Sequence, residues 1–205
     1  MKKYFSKEYL LKYFYSFVWV SLLVFICDII SKWAVQSNLK FDNRSVELIP
    51  HFLYVTLSHN TGASFGIGNE GSLGWRIAWI IISVILTGVL IFVFVKYFGK
   101  FTKLQKIALS LMIGGAFSNF IDRAFYWEKL VGFNGVIDWI DFEFGGWHFA
   151  TFNLADSALV IGVFILLIIE LVALIKEVRE KDKRGEYDIA PNAEKKSDEN
   201  NQDKQ

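Results

Sequence analysis

Apolar residues fall in four blocks along this chain, divided by polar stretches. Ile77 to Val95 runs 19 residues without a charge, enough to cross a hydrocarbon core of about 30 Å as a helix. Each of the other three contains or ends on a carboxylate. Tyr13 to Cys27 is uncharged and then meets Asp28; Ile107 to Ile121 is uncharged and then meets Asp122. The last block runs from about Phe149 to Ile175 and holds Asp156 and Glu170. One such block could be a buried helix of a soluble protein. Four in 205 residues predict a membrane all-α fold, a four-transmembrane-helix bundle. The predicted spans cover about 13–36, 75–98, 104–123 and 149–175 and make up a domain over 1–175. A polar tail follows over 176–205, read as a helical extension that fades into disorder.

Basic residues set the orientation of such a bundle. Lys2, Lys3, Lys7 and Lys12 precede the first span, while Lys40 and Arg44 follow it, with Arg76 at the far edge of that connection. Lys96, Lys100, Lys103 and Lys106 separate spans two and three; Arg123 and Lys129 lie between three and four. Lys176, Arg179, Lys181, Lys183 and Arg184 come after the last. This rich–poor alternation predicts both termini in the cytoplasm. No small-x-small site follows the first block, so it does not read as a cleaved signal peptide. Cys27 follows Phe25 and Ile26 and reads as a small apolar helix residue.

The two outward connections differ. Residues 38–74 carry Val46–Ile49 and Phe52–Leu57, which read as short strands around Pro50, so a small β-rich segment is expected between helices 1 and 2. Residues 124–148 hold Phe125, Tyr126, Trp127, Phe133, Trp139, Phe142, Phe144 and Trp147, an aromatic density suited to a membrane–water interface. An aromatic loop is expected there.

Composition narrows the choices further. Hydrophobic residues make up 53% and charged residues 21%, and the mean hydropathy is +0.33. A disordered regulator is poorer in apolar residues. A net charge of +1 gives no basic excess for nucleic acid. One cysteine cannot make a disulfide framework. His51, His59 and His148 lie on outer segments, read as surface residues with no nucleophile at recognisable spacing. With no His/Cys cluster, neither a metal nor a cofactor is expected.

An ionisable residue inside a span is costly and marks function by default. Asp122 lies roughly 27 Å along span three at 1.5 Å per residue, and Asp156 about 10 Å below the start of span four. Both fall in one outer layer, and antiparallel neighbours can bring them face to face. Gly115, Asn119 and Asp122 share one helix face, as do Asn153 and Asp156. Each carboxylate thus has a carboxamide that can orient it. Asp28 and Lys32, at i and i+4, can satisfy each other or snorkel outward. Two close acids in a low-dielectric site share a proton, the working state of an aspartic dyad. From spacing alone three readings stay open: a catalytic dyad, a proton-coupled transporter using the same carboxylates, and purely structural contacts. In the last, Asp122 would pair with Arg123 and Asp156 would cap a helix. Span two offers only Ser83 and Thr87 as polar side chains in its charge-free stretch, which argues against a transport path.

Five motifs stand in order along the chain: Asp28–Lys32; Asn60–Gly66; Gly114–Arg123; Val136–Asp138; and Phe152–Asp156. In these motifs the chain resembles the lipoprotein signal peptidase (signal peptidase II) family of bacterial inner-membrane aspartic peptidases. The resemblance implies Asp122 and Asp156 as catalytic. It implies substrate-binding or dyad-supporting roles for Asn60, Gly62, Asn119, Arg123, Asn153, Ala155, Asp28, Lys32 and Asp138. Ser118 stands where the family usually has Gly, which predicts slightly wider packing, and Ser64 stands for a usual Ala. The implied substrate is a diacylglyceryl-modified prolipoprotein, cut before the lipidated Cys. Membrane lipids and globomycin-type inhibitors are implied partners, the enzyme is expected to be a monomer, and the site is expected near the periplasmic face beneath the outer loops.

Overall fold

The structure, a computed structural model, describes residues 7–39, 45–62, 73–125 and 135–184, with side chains from Phe17 onward. Of the residues singled out above, Lys2, Lys3, Lys40, Arg44, Ser64, Gly66, Tyr126, Trp127, Lys129 and Phe133 lie outside these ranges, as do residues 185–205 of the tail.

Four helices carry the chain: α1 (Lys7–Asn38), α2 (Leu73–Tyr97), α3 (Lys103–Phe125) and α4 (Leu154–Lys183). Each is long and apolar enough to cross a membrane. Apolar side chains such as Ile30, Trp33, Phe92 and Phe164 lie exposed on them, as lipid-facing helices require. Helix α3 is the most buried of the four, and it packs against both α1 and α2. Leu90, Phe94, Phe98, Leu109 and Ala116 form the core, with Phe17, Met112, Ile113 and Leu159 against it. Small residues let backbones approach closely. A Cβ on Gly114 would strike the Ser21 backbone of α1, and one on Gly115 the Ala155 carbonyl of α4. Residues up to Leu166 form one compact unit; Leu167 onward forms another, in which Lys181 pairs with Glu177 at 2.8 Å.

The connections build one antiparallel sheet in the order β1-β2-β3-β4. Strands β1 (Ser45–Ile49) and β2 (Leu53–Asn60) form the expected hairpin; β3 (Val136–Phe144) and β4 (Trp147–His148) come from the second connection. From Gly135 on, the aromatic loop expected between helices 3 and 4 is largely strand. The run Val-Ile-Asp-Trp-Ile-Asp-Phe-Glu-Phe is β-branched and aromatic, and β2 supplies its partner: Asn60 opposes Val136 and Ser58 opposes Asp138. Gly145 and Gly146, both at positive φ, make the tight turn between β3 and β4. Gly135 also has positive φ, and a Cβ there would collide with the Asn60 carbonyl. The entry to β3 is thereby pressed against the end of β2.

Helix α4 opens at Leu154, not at 149 as hydropathy predicts. Residues 149–152 instead follow the sheet: the Phe149 amide donates to the Phe142 carbonyl at 2.7 Å and the Phe152 amide to the Ile140 carbonyl at 3.1 Å. Apolarity alone cannot separate a lipid-facing helix from aromatic residues packed on a sheet. Asp156 consequently sits in the first turn of α4.

Candidate active site

Asn153 starts α4 and sets its geometry. Its side-chain oxygen accepts from the Asp156 amide at 2.9 Å, and its own amide donates to the Asp156 carboxylate at 3.3 Å. This is a reciprocal capping box, with Asn153 as the cap and Asp156 at the third helical position. The cap role weighed for Asp156 thus falls to Asn153. A second carboxylate caps the same helix from another element: Asp28 Oδ1 of α1 accepts from the Ala155 amide at 2.9 Å. Ala155 is fully buried, so the amide has no water to turn to.

The carboxamide of Asn153 reaches across to β3. Its Nδ2 donates to Asp138 Oδ1 at 2.6 Å and to the Ile137 carbonyl at 3.3 Å. Asn60, at the end of β2, donates to the other Asp138 oxygen at 3.1 Å. Asn60 is itself oriented by the Gly62 amide, which donates to its side-chain oxygen at 3.0 Å. Burial pushes the Asp138 carboxyl up to about 7, with the nearby Asp156 charge adding to the rise and the Asn60 and Asn153 donors opposing it.

Around Lys32 lies a separate group. Its ammonium meets Asp28 Oδ2 at 2.5 Å, Asp122 Oδ2 at 2.7 Å and Asn119 Oδ1 at 3.1 Å. Lys32 is 2% exposed and Asp28 0%; the lysine is sealed in and does not snorkel. Ser118, fully buried, donates to Asp28 Oδ2 at 2.7 Å. The serine expected to widen the packing instead supplies a hydrogen bond inside it. Asp122, expected to share a proton with Asp156, has Lys32 as its close partner. Arg123 does not pair with Asp122 either. It donates to the carbonyls of Asn119 at 3.3 Å and Gly62 at 3.4 Å, tying α3 to the end of β2.

A cavity of about 990 Å³ opens beside these groups. Asp138, Asp156, Arg123 and Asn60 line it together with His59 and His148, and Phe149–Phe152 and the first turns of α4 complete the wall. Asp122 is not among the lining residues. His148 is held by Asp141 at 2.9 Å, whose carboxylate raises the imidazole pKa. Two of the histidines read as surface residues thus border the cavity. No local signal marked them, because β2 and β4 meet there only through the sheet. Among the described residues no three His, Cys, Asp or Glu side chains converge as metal ligands. The arrangement offers two carboxyl groups on one cavity wall, one titrating near neutrality, with a guanidinium beside them. Such a pair can hold one proton between two acids and pass it to a bound molecule.

The comparisons agree with this architecture. The family model for signal peptidase (SPase) II matches residues 20–172. A lipoprotein signal peptidase of Coxiella burnetii is 36% identical over 156 residues, 76% of this chain and 89% of that protein. The Bacillus pumilus protein of the same name is 36% identical over 80% of this chain and 97% of its own length, and a Staphylococcus aureus one 34% identical over 80% and 91%. A solved bacterial membrane enzyme, determined by the in meso method, superposes with a TM-score of 0.62 at 33% identity, covering 81% of this chain and 91% of that one. With the described residues of its five motifs gathered at one end of a four-helix bundle and most of its length matched, this chain belongs to the signal peptidase II family.

Proposed function

We propose that this membrane peptidase removes signal peptides from diacylglyceryl-modified prolipoproteins, and that Asp138 and Asp156 are its aspartate dyad. The observation that carries the assignment is the cavity: Asp138 and Asp156 line it, whereas Asp122 is engaged by Lys32. Asp122 is also absent from the cavity lining, so a substrate seated there meets Asp138 and Asp156. The assignment thus moves one member of the dyad from Asp122 to Asp138 and keeps Asp156. The proton-coupled transport reading finds no support in the comparisons.

In this reading Asp156 is the ionised member. It accepts from Asn119 Nδ2 at 2.7 Å and from the Asn153 amide at 3.3 Å, donors that hold its carboxylate in place. Asp138, titrating near 7, is the neutral member. A water held between them gives its proton to Asp156 as it attacks the scissile carbonyl. Asp138 donates a hydrogen bond to that carbonyl oxygen, and the dyad then protonates the leaving amine. Arg123 and Asn60 stand at the cavity wall to hold the substrate backbone. The acyl chains of the substrate anchor it in the bilayer, which lowers the entropy cost of presenting one bond.

The distribution of basic residues supports a site at the periplasmic face of the inner membrane, with both chain ends cytoplasmic. A monomer suffices, since one chain supplies every group named here. Globomycin-type lipopeptides are expected to occupy the same cavity. The deciding experiment is processing of a diacylated lipobox peptide by the purified enzyme. Asp138→Asn and Asp156→Asn should each lose cleavage by about 10²- to 10⁴-fold, the usual scale for general acid–base groups. Normal turnover by either variant would reject the dyad.

A further inference from the structure

The buried lysine is unexplained by the dyad. Among the described residues Lys32 makes no hydrogen bond or ion pair to Asp138 or Asp156, and a lysine enclosed in a helix bundle is expensive. Asp28 already gives it a counter-ion within its own helix. We infer that Lys32 is a positioning residue that acts on Asp156 through Asn119. This rests on the reading of Asp156 as the dyad base.

The argument lies in donor and acceptor inventories. An ammonium has only donors, so the Asn119 atom at 3.1 Å from it is the amide oxygen. The Asn153 Nδ2 approaches that same oxygen at 3.3 Å, a second donor with the same demand. With its oxygen so engaged, Asn119 presents its Nδ2 on the other side, 2.7 Å from Asp156 Oδ1. An asparagine alone could turn either end toward a carboxylate's surroundings. Next to Lys32 the flipped form would set an NH₂ group against an ammonium. Lys32 thereby selects the rotamer that donates to Asp156 and penalises the other.

The surrounding charges fit this role. Asp28 from α1 and Asp122 from α3 flank the ammonium and hold it in place. Arg123 of α3 and Asp138 of β3 line the same cavity as Asp156. Lys32 is the only cation hydrogen-bonded to Asn119's side chain among the described residues. The chain Lys32–Asn119–Asp156 crosses from α1 through α3 to α4, so it also fixes the base relative to three helices.

The test is a double-mutant cycle in detergent with a diacylated lipobox peptide. Lys32→Met is made alone and together with Asp122→Asn; the pair leaves the cluster's net charge where it was and protects folding. Both should keep KM within about twofold and lose about a hundredfold in kcat, the scale of a misplaced catalytic group. Asn119→Ala should lose a similar factor, and adding Lys32→Met to it should cost little more, since the relay is already cut. Multiplying losses would overturn the relay and leave Lys32 a packing element. So would full kcat in the charge-balanced pair. Asp156→Asn is run alongside: if it still cleaves, the dyad reading fails by itself, whereas an inactive Asp156→Asn with an additive cycle condemns only the relay.

Discussion

Two acidic clusters lie close together in this molecule and have opposite characters. In the first, Asp28 and Asp122 clasp Lys32 inside the bundle, and Ser118 and the Ala155 amide take up Asp28's remaining capacity. In the second, Asp138 and Asp156 meet, among the described residues, carboxamides and backbone amides as hydrogen-bond donors and border a cavity. All four are aspartates at low exposure. The nature of the partner separates them: Asp28 and Asp122 are held by an ammonium, while Asp138 and Asp156 are held by neutral donors beside a cavity. Burial of an acid therefore does not distinguish the two clusters; the partner and the cavity do.

The comparison breaks first under charge removal. Asp138→Asn and Asp156→Asn should abolish most turnover, as above, yet leave the enzyme folded. Lys32→Met should do the reverse to stability. It strands Asp28 and Asp122 without a cation, at a cost on the order of 3–5 kcal/mol, and thermal unfolding in detergent should show a large fall that Asp122→Asn partly restores.

The pH dependence is the next largest effect. The Asp138 carboxyl is raised from its ordinary value to about 7, so the folded enzyme holds that proton longer than the unfolded chain. Stability from the neutral form is complete below about pH 4 and is lost as pH climbs through about 7. Unfolding scans between pH 5 and 8 should show this decline in the parent and a shallower one in Asp138→Asn. His148, raised by Asp141, contributes a slope of the same sign, which the variant leaves intact. Activity should fall on the alkaline side near pH 7 for the same reason, as Asp138 ceases to donate.

The smallest change sharpens the first cluster. Ser118→Ala removes one hydrogen bond to a buried carboxylate, worth about 1.5–3 kcal/mol. Its effect should appear in the melting temperature and scarcely in kcat, since Ser118 does not reach the cavity. Ser118→Gly should behave like the alanine or worse, since it lacks the hydrogen bond as well and adds backbone freedom to a helix.

Much of this was readable from residue order. The carboxylate that interrupts each of three apolar blocks marked where polar groups would gather. Asn153 and Asp156, three apart, already had the spacing of a capping box. Lys32 and Asp28 had the spacing of an ion pair, although i,i+4 geometry says nothing of burial. Strand β3 was harder. Its alternation was masked by aromatic residues that suit an interface equally well, and its partner β2 lies some 80 positions earlier in the chain.

Hydropathy by itself determined four long apolar helices and the places where charge breaks them, because transfer of each side chain to lipid is a local quantity. The motifs by themselves determined the family. Which aspartate meets a lysine and which meets a cavity was decided only by tertiary structure. Asp122 and Asp138 lie on different elements, and their neighbours come from α1 in one case and from β2 and α4 in the other. A carboxylate's chemistry follows from the charges and dipoles within a few ångströms of it, and those are assembled by folding.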